Sequence, residues 1–149
     1  MSDHTEPSAS AIAAWSRLMR VSRQLHEAVE GDLKAAGLPP LEWYDVLHEL
    51  ATAEEGRLRP YQLVDRMLLA QYNVSRLLQR MQDKGLVDRL PDDADGRGHW
   101  VAITQSGRAM RRAMWAVYGP AIARLVDGRM DEAGQRQIHA LLTRLGQRG

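Results

Sequence analysis

Cysteine is absent from the 149 residues, and so is phenylalanine. Without cysteine there is no disulfide framework, no thiolate metal site, no cysteine nucleophile and no thiol redox sensor. Without phenylalanine the aromatic mass rests on four Trp and four Tyr. No apolar run approaches the roughly 18 residues of a membrane span. The opening MSDHTEPSAS has neither the basic nor the apolar region of a secretory signal. The expected setting is the cytoplasm, with no membrane partner. Histidine is sparse and scattered, at His4, His26, His48, His99 and His139, with no metal-ligand spacing. No serine stands in a motif with a His and an Asp, and no glycine-rich phosphate loop follows a strand. Neither an enzyme nor a metal or cofactor site is expected.

What the chain does have is a 44% share of hydrophobic residues, enough to bury a core. Its length fits one domain, or two small subdomains that share a core. The net charge of +1 hides an uneven distribution. Residues 1–58 hold 5 Lys/Arg against 10 Asp/Glu, residues 59–112 hold 10 against 6, and residues 113–149 hold 5 against 3. A basic middle in a near-neutral chain fits a local anion-binding surface.

Helical periodicity dominates the pattern. After a loose polar tail at 1–7, Ile12, Trp15, Met19, Ser22, His26, Val29 and Leu33 fall on one face of a long helix. Leu18, Val21 and Leu25 widen that face, which predicts packing against a second subunit as well as the helix's own domain. Gly37 and Pro39-Pro40 end it. A second helix follows, with Leu41, Tyr44, Leu47 and Leu50 at helical spacing. AEEGRLR reads as a loop, and RPYQLVDRM as a short helix with Pro60 in its first turn. After a break near Leu68–Leu69 comes AQYNVSRLLQRMQDKG, whose Val74, Leu77, Leu78 and Met81 make a narrow apolar stripe that Gly85 terminates. Two strand candidates, Leu86–Leu90 and His99–Ile103, flank an Asp/Gly-rich turn. Thr104 caps a long helix to about Val126, bent at Gly119-Pro120, and Asp131 caps a last one carrying Ile138, Leu141, Leu142 and Leu145.

Helix, tight break, helix, hairpin is the order of a winged helix-turn-helix, whose second helix reads DNA. The predicted fold class is mainly α with a small β-hairpin wing, a winged helix-turn-helix at 37–104 joined to a helical dimerisation region at 8–36 and 105–147. With its apolar stripe turned inward, the second helix of the pair leaves Gln71, Tyr72, Asn73, Ser75, Arg76, Gln79 and Arg80 facing out. Asn and Gln can pair bidentately with adenine and Arg with guanine, while Tyr and Ser hydroxyls reach phosphates. Residues 70–82 contain no acid, unlike an ordinary solvated helix face. At the hairpin turn Arg97 sits between Gly96 and Gly98, whose lack of a side chain permits close approach to another surface. Asp95 can hold the guanidinium in shape, and Asp92 and Asp93 can make turn hydrogen bonds. An Arg so placed suits the minor groove, where the potential is most negative.

These segments resemble a known family. DGRGHWVAITQSG is similar to the wing signature of the MarR family of bacterial regulators, Asp-x-Arg, an apolar strand, then Leu/Ile-Thr-x-x-Gly. The matching positions are Asp95, Arg97, Val101, Ile103, Thr104 and Gly107. VSRLLQRMQDKGLVDR is similar to the family's recognition helix in Ser75-Arg76, an apolar pair, Arg80 and the Gly85-Leu86-Val87 exit. LEWYDVLHEL is similar to the helix that precedes the helix-turn-helix. The resemblance spans about Ile12 to Gly146. Two departures stand out: Gly96 replaces a second basic residue frequent in family wings, and Tyr72-Asn73 replaces small hydroxyl residues. The resemblance implies a homodimeric transcription regulator on a pseudopalindromic duplex operator. It also implies, as in many relatives, a repressor released by a small aromatic or phenolic ligand.

Trp15, Met19 and His26 on the first helix, Trp43 and Tyr44 on the second, and Trp115 and Tyr118 on the fifth are the candidate lining of an effector pocket, because amphipathic aromatics stack on aromatic ligands. The bland alternative is that they fill a core that has no Phe, with His26 hydrogen-bonded at a core or interface position. Two alternatives to the regulator remain: a winged-helix module whose partner is a protein, and a DNA-binding protein without a ligand. The acid-free helix face favours duplex DNA.

Overall fold

The computed structural model describes residues 5–69, 73–92 and 98–147. Ser8 opens helix α1 (Ala9–Ala35), its hydroxyl accepting a hydrogen bond from Ala11 N at 3.1 Å. Twenty-seven residues at 1.5 Å each make a rod about 40 Å long. The predicted apolar stripe divides along it. Val29 and Leu33 are buried in the subunit core, whereas Ile12, Trp15 and Met19 are exposed. Leu33 O accepts from Leu38 N and Glu30 Oε1 from Leu41 N, which turns the chain into α2 (Leu41–Thr52).

AEEGRLR is not the plain loop that its charge predicts. A 3-10 turn at Glu54–Gly56 leads into a short strand, β1 (Arg57–Leu58). Helix α3 (Pro60–Arg66) follows, with Pro60 in its first turn and Gln62 Oε1 accepting from Arg59 N at 2.9 Å. Helix α4 (Val74–Asp83) comes next, with Asn73 at its N-cap position. Strands β2 (Val87–Pro91) and β3 (His99–Ile103) pair antiparallel, Val87 opposite Ile103 and Pro91 opposite His99. β1 pairs with the other edge of β3, Arg57 opposite Ala102, so the sheet has three strands in the order β1-β3-β2. Two residues are too few to show alternation, which is why the sequence pattern missed β1.

Helix α5 (Gln105–Ile122) runs through Pro120 and continues into a wider π turn, Ala123–Asp127. Proline cannot donate its missing N–H to the carbonyl one turn back, and Gly128 N bonds five residues back to Ala123 O at 2.9 Å. Asp131 caps α6 (Glu132–Leu145), accepting from Gly134 N at 2.8 Å.

The core is continuous. Leu33 of α1, Val46, Leu47 and Leu50 of α2, Leu63 of α3, Leu77, Leu78 and Met81 of α4, Val87 and Val101 of the sheet and Met114 of α5 are all buried in it. Helix α6 stands apart, since none of its residues is buried. No helix among the described residues is long and apolar enough to cross a membrane.

Candidate nucleic-acid interface

Helix α4 separates its residues as its pattern requires. Leu77, Leu78 and Met81 are buried and Val74 is half-buried, while Asn73, Ser75, Arg76, Gln79 and Arg80 are exposed. Asn73 is the N-cap position, but its side chain makes no cap bond and is left free to point outward. Gln79 Nε2 donates to Asp83 Oδ1 at 2.9 Å, engaging it at the far end of the helix. Gln71, Tyr72, Asp93, Asp95, Gly96 and Arg97 lie outside the described residues.

The exit of α4 is stitched to the wing and to α5. Leu86 N donates to Met81 O, and Thr104 N donates to Leu86 O at 3.1 Å. The Thr104 hydroxyl donates to Gly85 O at 2.6 Å and accepts from Gly107 N at 3.0 Å. A Cβ at Gly107 would collide with Leu86 O, so only glycine lets α5 pass this close. The Thr-x-x-Gly segment is thus the joint at which recognition helix, wing and α5 meet. On the other side, Arg89 of β2 reaches back to Ser75 O at 3.2 Å.

Arg59, just ahead of α3, organises the root of the wing. Its guanidinium pairs with Asp92 at the end of β2 and lies 4.2 Å from the centre of the Trp100 ring on β3. Arg57 lies 4.5 Å from the same ring and pairs with Glu55 at 2.8 Å. Gly98 lies against the Arg59 side chain. A Cβ there would meet the guanidinium, which would have to shift. Asp92 N also bonds Gly98 O at 3.2 Å, closing the base of the hairpin. The pairing of Arg59 with Asp92 and Trp100 escaped the sequence reading because these residues lie far apart along the chain. Alternating cationic and aromatic residues, Arg57-x-Arg59 against Trp100, were the available signal.

The predicted effector residues do not gather in one pocket. Tyr44, Trp115 and Tyr118 fill space with one another, Tyr44 being 6.0 Å from Trp115 and 5.0 Å from Tyr118 between ring centres. His48 stacks on Tyr44 at 5.6 Å, and its Nδ1 is 2.9 Å from Arg111 Nη2. Arginine only donates, so Nδ1 is the acceptor. Burial pushes the Tyr44 phenol above its ordinary value, with Arg111 opposing. Tyr118 is raised by burial first, then by Tyr44 and Asp45. Trp43 is half-buried against the core. Met19 and His26 do share a groove of about 590 Å³ with Ser22, Arg23, Glu30, Pro40, Glu42 and Leu69. His26 is not a core residue: it is exposed, 3.9 Å from Glu30. Trp15 lies further along α1, in an apolar cleft of about 420 Å³ shared with Leu18, Ile138, Leu141, Leu142 and Leu145. Among the described residues no group of three or more His, Asp or Glu side chains could hold a metal ion.

Three helices around a three-stranded antiparallel wing, with a polar, acid-poor face on the second helix of the pair, define a winged helix-turn-helix protein. Residues 36–98 match the model of the MarR family. Solved structures carry the likeness over almost the whole chain. AbsC of Streptomyces coelicolor, a MarR family transcriptional regulator, is 22% identical with a TM-score of 0.83 over 95% of each chain. Sco3205 of the same organism, a MarR family regulator solved in complex with DNA, is 20% identical with a TM-score of 0.85 over 95% of this chain and 89% of its own. The organohalide-sensing regulator RdhR-CbdbA1625, solved with 2,4-dichlorophenol bound, is 17% identical with a TM-score of 0.79 over 97% of this chain and 87% of its own. No curated protein sequence matches the chain. The chain thus matches the MarR family model at 36–98 and shares, over almost its whole length, the winged helix-turn-helix fold of solved MarR family regulators.

Proposed function

We propose that the protein is a homodimeric repressor of a pseudopalindromic operator, released by a small aromatic molecule, and that catalysis is no part of its role. The observation that carries the DNA half is the α4 face, where Asn73, Ser75, Arg76 and Arg80 stand exposed with no acid among residues 70–82. Gln71, Tyr72 and, on the wing, Arg97 complete the proposed contact set, with Asp95, Gly96 and Gly98 supporting Arg97. Residues 37–104 form the DNA-binding region.

Residues 8–36 and 105–147 form the dimerisation region in this proposal. α6 buries nothing within the subunit, yet presents Ile138, Leu141, Leu142 and Leu145 beside Trp15 and Leu18 of α1. Apolar surface so contiguous marks an interaction site, and a second copy supplies the same surface in return. The groove lined by Met19, His26 and Leu69 is the proposed effector site, in keeping with the phenolic ligand of the organohalide-sensing relative. Trp15, Trp43, Tyr44, Trp115 and Tyr118 are not among its lining residues.

Selection of bound sequences from random duplex tests the proposal. A palindromic consensus with half-sites about 34 Å apart is expected. Binding of equal strength to every duplex, or none at all, sinks it.

A further inference from the structure

We infer that Asp45 is the positioning residue for the start of the recognition helix, and that occupancy of the groove beside α1 is relayed to DNA through it. The inference rests on the regulator reading above. Among the described residues Asp45 is the one charged side chain in the core, only 6% exposed. A buried carboxylate is costly unless a donor meets it. Its Oδ2 accepts from Leu69 N at 2.8 Å.

Leu69 lies between α3, which ends at Arg66, and the first residue of α4, Val74. Its amide is in no helix ladder, and the carboxylate on α2 is what holds it. The same residue is a wall of the groove that Met19, Arg23 and His26 line from α1. One residue thus faces the groove and hangs from the core carboxylate. A bond of 2.8 Å is lost beyond about 3.5 Å, so Leu69 need move less than about 1 Å to release it. A molecule pressing on Leu69 therefore shifts the equilibrium between held and released starts of α4, by as much as it prefers the released one.

The absence of cysteine provides a clean test. Ser22 lines the groove and is exposed, so the full-length Ser22→Cys variant, alkylated with N-phenylmaleimide, carries one aromatic ring there. Amide exchange at Leu69 and preference for a selected duplex over a scrambled one are measured with Asp45, Asp45→Asn and Asp45→Ala. Alkylation is expected to speed Leu69 exchange and cut the preference at least about tenfold when Asp45 is present. In the Asp45→Ala background it should change either by less than about twofold, the non-additivity of two groups acting on one bond. Asp45→Asn keeps an acceptor and should lie between. If Asp45→Ala does not fold, Asp45→Asn decides: faster Leu69 exchange with α5 amides unchanged supports the inference, and an unchanged Leu69 overturns it. Alkylation that leaves Leu69 exchange unaltered, or acts equally in all three backgrounds, also overturns it. Should the unmodified protein prefer no duplex, the regulator reading fails instead, and Leu69 exchange alone still judges the role of Asp45.

Discussion

Single side chains on α4 divide by what they would touch. Asn73 and Arg76 are exposed at its first turn, and each bidentate base contact discriminates by about 1–3 kcal/mol. Asn73→Ala and Arg76→Ala are expected to relax preference at one operator position each, read by binding to single-base operator variants. Uniform weakening across all sequences would assign both residues to the backbone. The two raised phenols give a pH signature. Tyr44 and Tyr118 are held neutral in the fold above the ordinary value of 10.0. The unfolded chain ionises first as pH rises, so their stabilisation is complete below pH 10 and is lost as pH climbs through the folded values. Thermal midpoints between pH 9 and 11 should fall, and less steeply in Tyr118→Phe. An identical fall in that variant would remove Tyr118 from the account.

Elements were legible where a local signal marks them. Ser8, Thr104 and Asp131 each cap the helix predicted after them, and Pro60 opens α3. Those signals act over three or four residues, the reach of a side chain to a free backbone amide. What stayed hidden joins residues far apart. Arg59 finds Asp92 and Trp100 only after the sheet has formed, and β1 has too few residues to show a period. Asp45 finds its donor, Leu69 N, 24 residues away, beyond the reach of any local pattern. The wing root yields a prediction at this scale. Asp92→Ala removes the partner of a largely buried guanidinium, and hydrogen bonds to charged groups are worth about 1.5–3 kcal/mol. Urea unfolding should register a loss in that range or below it, with Trp100 fluorescence altered. Unchanged stability and emission would show that the aromatic contact alone holds Arg59.

At the scale of the molecule, the α1 stripe was visible as a period, but not its division. Its second half meets the core, and its first half, like α6, buries no residue within the subunit. Periodicity states that a face is apolar, not which chain covers it. Under the dimer proposal, Leu141→Asp with Leu145→Asp should give a monomer by sedimentation. Losing the second half-site should lower operator affinity by about a hundredfold or more, as avidity is lost. A monomer binding the operator at full strength would show that one winged helix suffices.

The bare α6 has a further consequence, for the lifetime of the chain. A helix of 14 residues with no buried side chain is marginal in water, so in a lone subunit its backbone opens readily to cleavage. Partnered subunits would shield it, and degradation would then fall on whatever exceeds the paired pool. Trypsin at limiting dose should cut first at Arg136 or Arg144 in dilute protein. Cutting there should slow as protein concentration rises, making turnover a gauge of how many copies have met.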